Sequence, residues 1–301
     1  MTRHRPTSRA AARSERRRGL HREVPATLGV LADPRDFTAM RRYRTFAFED
    51  HDAYLREVQQ VMDTLAARHL HTTLALFDPE EYAQYCAREG TDPDDPASRS
   101  RFTARAARSG ATVACDGTPL TALLPRLIDR SVRHATRNYA TLLLADAGPC
   151  EDCGEDLGRS AFDRASAALM ALLETAGEGS HHLVCSVPAP DEQLLAVVHA
   201  EAAATGTAVV DADAAAEFAT VLAVGLALRG PGGVVLRTSR PGAPDRLHGW
   251  RLDRGRLTPL TAAEVFDAYC TDAATGEPVP PEPGVEYCAG RPLPDPGPGH
   301  H

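Results

Sequence analysis

Between residues 43 and 147, short apolar runs alternate with longer stretches whose apolar residues recur at helical spacing, and this alternation restricts the fold more than any other feature. Tyr43 to Phe48 is short and aromatic-rich like a strand, and Tyr54, Val58, Val61, Met62, Leu65 and His69 then keep a helical period. Thr72 to Phe77 reads as a second strand, followed by Asp78-Pro79-Glu80-Glu81. That is helix-start chemistry: the Asp oxygen takes a free backbone N–H, proline presets the first helical residue, and the acids suit the positive helix end. Two short helices ending near Gly90 and Gly110 lead to a third strand, Ala111 to Cys115, and Thr118-Pro119 opens a long helix with its stripe at Leu120, Leu123, Leu127, Val132, Tyr139 and Leu143. Strands separated by helices imply parallel pairing. Residues 40–149 are therefore expected to form a small parallel-sheet α/β domain.

Residues 150–276 predict an α+β domain on a mixed sheet. A helix, Ser160 to Leu173, precedes a strand, His182 to Val187, closed by Pro188-Ala189-Pro190. Leu194 to His199 sits within Asp191 to Ala204, rich in Ala and Glu, and is predicted helical. Thr207 to Val210 reads as a strand, Ala214 to Leu228 as a buried helix, and Val234 to Thr238 with Leu247 to Leu252 as a hairpin. Thr261 and Glu264 form a capping box for a last helix. Beyond residue 277, eight prolines between 278 and 298 predict a wrapped or disordered tail, residues 277–301. Residues 1–39 lack a sustained apolar period and are expected to be a disordered basic arm, or a non-native extension if translation starts at Met40.

Composition narrows the chemistry. All 33 basic residues are arginine, so there is no lysine for a Schiff base, a Walker A loop or a kinase site. Single Ile128 and Asn138 residues, with abundant Ala, Arg, Gly and Pro, indicate a high-GC bacterial genome. Of the net charge of -8, residues 1–39 carry +5 and the remainder -13. An acidic body argues against nucleic acid as its partner. Seven cysteines, an odd number, in a chain without a leader-like apolar stretch predict reduced thiols in the cytoplasm. Phe218 to Leu228, the most apolar internal stretch, is about half the ~20 residues that a membrane span needs, so no membrane association is expected.

Three constellations carry candidate chemistry. Cys150-Glu151-Asp152-Cys153-Gly154 has the spacing and following glycine of a metal knuckle, and suggests structural zinc with His182 or Cys185 as a further ligand. Packed or merely reduced thiols, or a redox pair, are the competing readings. Asp50, Asp78 and Asp116 follow the three predicted strands, where ligands gather in parallel sheets, and would suit Mg²⁺ or Mn²⁺ in phosphate-ester hydrolysis; each also reads as a cap or turn residue. Arg237 and Arg251 with Trp250 form an anion or nucleotide candidate, although arginine is the chain's only strongly basic residue and a solvated hairpin face would look the same. The overall expectation is a cytoplasmic bacterial regulatory or ligand-binding protein, with a small molecule or another protein as partner. The alternative is a divalent-metal phosphohydrolase or nuclease.

Overall fold

The computed structural model describes residues 26–151, 153–203, 208–272 and 274–294, and the chain divides into two compact units, residues 1–134 and 135–301. The first unit is built on β1 (Ala26–Val30), β2 (Thr72–Leu76) and β3 (Thr112–Ala114), in the order β1-β2-β3. Its helices are α1 (Pro34–Met40), α2 (His51–Ala67), α3 (Pro79–Glu89) and α4 (Pro96–Ser109); α5 (Leu120–Asp146) runs on past the division. Three of these helices start on an Asp-Pro pair. Asp33, Asp78 and Asp95 each accept a backbone N–H while proline occupies the first turn, and Asp50 caps α2 without proline.

β1 and β2 are parallel, with Val30 opposite Leu76, but β2 and β3 are antiparallel, with Leu74 opposite Val113. The parallel ladder is thus made by Ala26–Val30, a strand not expected from the sequence, while the two expected strands that do form, at Thr72–Leu76 and Thr112–Ala114, pair antiparallel. Alternation of helix and strand cannot set the direction of a three-residue edge strand, and antiparallel edge strands on parallel sheets are common. Tyr43 to Phe48 is not a strand. Phe46 and Phe48 instead pack their rings on Tyr54, and Phe46 also meets Phe37, so the aromatic content reflects core filling. The arm expected over residues 1–39 is corrected from residue 26 onward: β1 is hydrogen-bonded to β2 along its length, and Phe37 and Met40 of α1 are buried. A chain starting at Met40 would lose that strand. Residues 1–25 lie outside the described residues.

The second unit contains α6 (Leu157–Ala176), β4 (Gly179–Pro188), β5 (Gln193–Ala202), β6 (Ala208–Val210), α7 (Ala212–Ala227), β7 (Gly232–Ser239), β8 (Asp245–Asp253), β9 (Arg256–Pro259), α8 (Ala262–Tyr269) and β10 (Val285–Cys288). The sheet order is β10-β8-β7-β4-β5-β6, with β9 on β8; β10 runs parallel to β8 and the other ladders are antiparallel. The predicted hairpin appears as β7 and β8. The predicted helix at Leu194 to His199 is strand β5, paired with β4 from Gln193 to Ala202. Leu194, Ala196, Val198, Ala200 and Ala202 are buried while Leu195, His199 and Glu201 are exposed, and that period of two outweighs the helix propensity of Ala and Glu. Residues 285–288 of the proline-rich tail add β10, and the Arg291 carbonyl accepts from the Trp250 indole N–H, so this part of the tail wraps onto the sheet.

One face of this sheet is the core. Leu183, Cys185, Val198, Val234, Leu236 and Trp250 meet Leu172, Phe218 and Leu222 from α6 and α7 in one buried cluster. The chain is thus a mixed α/β protein, with a three-stranded sheet followed by a larger mixed one.

Candidate functional site

The three carboxylates predicted to share a metal are not brought together. Cys115 N–H donates to the Thr72 carbonyl, so Asp116 lies beyond the start of β2, whereas Asp78 lies beyond its end. Six residues of strand separate those positions by ~20 Å, while two oxygens sharing a cation lie within ~5 Å. Each carboxylate has local work. Asp50 accepts from Ala53 N–H at 2.6 Å, Asp78 from Glu80 and Glu81 N–H at 2.7 and 2.9 Å, and Asp116 from the Thr118 hydroxyl at 2.6 Å. Thr118 holds the Asp116 carboxyl below the usual carboxylate range. What does gather at the end of β1 and β2 is Asp33, Asp36 and Asp78: burial, then these two neighbours, push the Asp36 carboxyl up. No group of three or more His, Cys, Asp or Glu side chains poised to hold a metal occurs among the described residues.

Cys150 and Cys153 occupy a tight loop between α5 and α6. Cys150 N–H donates to the Glu155 carbonyl at 2.7 Å, Gly154 N–H donates to the Cys150 carbonyl at 2.8 Å, and Pro149 bridges to Asp156. Gly154 has φ 75°, which a residue with a Cβ rarely adopts, so the glycine permits this turn. The thiols are neighbours, Cys150 buried and Cys153 exposed. A Glu155 N–H favours the Cys153 thiolate, but local desolvation, the neighbouring Cys150 thiol and the Glu155 charge together outweigh it and the thiol is pushed up. The two candidate additional ligands stand elsewhere on β4. Cys185 is fully buried in the core, its thiol pushed up to about 12 by burial, and His182 projects from the opposite face.

The proposed anion grip is dismantled by its own strand. Trp250 and Arg251 are consecutive on β8 and point to opposite faces, which puts the indole in the core at 1% exposure. Arg251 donates to Glu264 at 2.9 Å. Arg237 donates to Asp245 at 2.6 Å and, through its two terminal nitrogens, to Glu282 at 2.8 and 3.1 Å. Asp245 and Glu282 take up the donors of that guanidinium, so it is committed within the chain rather than open to an external anion.

The structure does join residues from two separate candidates. On the sheet face away from α6 and α7, His199 of β5 lies opposite His182 of β4, and His182 lies opposite Arg237 of β7. The imidazoles stack with ring centroids 4.5 Å apart and planes 8° from parallel. The neighbouring row places Glu201 opposite Ser180 and Ser180 opposite Ser239, with the Ser180 hydroxyl donating to Glu201 at 2.7 Å. On the other side of the histidines come Val197, Val184 and Val235, then exposed Leu195. At β8 this face is covered by α8, where Val265 lies over Gly249; across β5 and β4 it is exposed. His199 was hidden in sequence by the helical reading of its segment. A hairpin closing on Pro188 and Gln193 would have set it opposite His182.

A family described as a domain of unknown function (DUF8829) matches residues 15–118, about a third of the chain and confined to the first unit. No curated protein and no solved structure matches the chain.

Proposed function

We propose that the chain is a cytoplasmic bacterial regulatory or ligand-binding protein whose recognition surface is the exposed face of the larger sheet, with structural zinc at Cys150 and Cys153. The observation that carries the binding role is the chemistry of that face. Along β4 and β5, every second residue is buried under the helices, and the residues between them present an aliphatic shelf bordered by a polar row. Val184, Leu195, Val197 and Val235 offer apolar contact, while His182, His199 and Glu201 offer donors and acceptors that fix orientation. The carboxylates, arginines and indole singled out as catalytic or anion-binding groups are committed to caps, ion pairs and the core, which supports binding over hydrolysis.

A fragment screen read by methyl NMR on the full chain tests the surface. Shifts should concentrate on the methyls of Val184, Leu195, Val197 and Val235. Hits confined to other surfaces, or none, would remove the reading. Zinc is tested separately: thiolates are preferred zinc ligands, and Cys150 and Cys153 would hold the ion across the loop between two helices. Untagged protein should carry zinc, and Cys150→Ser should lower the melting temperature. Zinc-free protein whose variant melts unchanged would exclude the clip.

A further inference from the structure

The exposed face contains a titratable pair whose geometry does more than offer hydrogen bonds. His182 and His199 are direct cross-strand partners, and their nearly parallel rings cover one another's faces. Two neutral imidazoles in this arrangement make an apolar face-to-face contact. Two protonated ones would hold unit charges about 4.5 Å apart, a repulsion of about 1.5 times thermal energy even in water.

The surrounding charges bear on the same balance. Across from His182 on β7, Arg237 is a third cation, held by Asp245 of β8 and by Glu282. On β5, Glu201 is two residues beyond His199 on the same face and accepts from Ser180 of β4. Ser239, opposite Ser180, donates to Asp245. Glu201, Asp245 and Glu282 keep their charge but are hydrogen-bonded to Ser180, Ser239 and Arg237, while Arg237, next to His182 across the strands, opposes its protonation.

We propose that the His182–His199 stack is a proton-operated element of the exposed sheet face: stacked while both rings are uncharged, and driven apart when both carry a proton. Opening would replace a flat, uncharged edge of the shelf with two cations beside Val184 and Val197, turning the face towards acidic ligands. Its use in regulation rests on the recognition surface proposed above; the titration of the stack does not. Burial, His199 and Arg237, in that order, hold the His182 imidazole below its ordinary value, in keeping with this geometry.

The test is an imidazole-proton NMR titration of the full chain from about pH 8 to about pH 5. In the wild-type chain, the upfield ring-current shift that each imidazole imposes on the other should collapse on acidification. His199→Gln should raise the His182 midpoint by about half a pH unit or more. A ring-current shift that persists through full protonation, or a His182 midpoint unchanged in His199→Gln, overturns the inference. Either result leaves the fragment screen standing as the separate judge of the surface.

Discussion

His181 and His182 are consecutive on β4 and opposite in environment. His181 is 1% exposed; its Nε2–H donates to the Gly177 carbonyl, and its Nδ1 accepts from the Thr238 hydroxyl. His182 lies on the exposed face against His199. Because folding lowers the His182 value, the stability it contributes is present above the unfolded value of about 6.5 and is lost as pH falls through that range. The melting temperature of the wild-type chain should therefore fall more steeply below about pH 6.5 than that of His182→Gln. Parallel curves would show that the folded chain imposes no such cost. The cysteines divide in the same way. Cys153 is exposed and Cys185 is sealed in the core with its thiol pushed up to about 12, so alkylation of the folded, chelator-treated protein followed by peptide mass mapping should mark Cys153 and leave Cys185 unmarked until unfolding.

At the scale of elements, aspartate mainly starts helices. Asp78→Ala should cost about 1 kcal/mol by leaving two N–H groups of α3 without their acceptor, whereas Asp78→Asn, an equivalent cap, should be close to neutral in denaturant unfolding. Equal losses in both would mean that the charge itself matters. α7 fits closely on the sheet: a Cβ at Gly225 would overlap Leu252 Cδ2 and press on Val187. Gly225→Ala gains about 1 kcal/mol of helix propensity, but overpacking costs about 1–3 kcal/mol, so net destabilisation is expected. Caps and buried helices of this kind were legible because their signals are local. Asp78-Pro79 and the Thr261–Glu264 capping box announce themselves within four residues. β5 was not legible through propensity, because alanine and glutamate favour a helix while only pairing with β4 reveals their alternation. The direction of β3 is likewise a property of its partner and is absent from its three residues.

For the whole molecule, the two units differ in what they expose. The first carries helices on a small sheet, with Asp33, Asp36 and Asp78 gathered where β1 and β2 end. The second covers one sheet face with α6 and α7 and leaves much of the other to solvent. The candidate site is legible in the sequence only in fragments: His182 reads as a candidate metal ligand and Arg237 as part of an anion candidate, and register alone makes them neighbours. The family match ends at residue 118, so it bears on the first unit and leaves the proposed surface to be judged by its own chemistry. That surface is tested most directly by repeating the methyl NMR fragment screen on Leu195→Asp. Leu195 is 53% exposed, so stability should change by no more than about 0.5 kcal/mol while the fragment-induced shifts at Val184, Val197 and Val235 disappear. Shifts that survive unchanged in a folded Leu195→Asp chain would contradict the account.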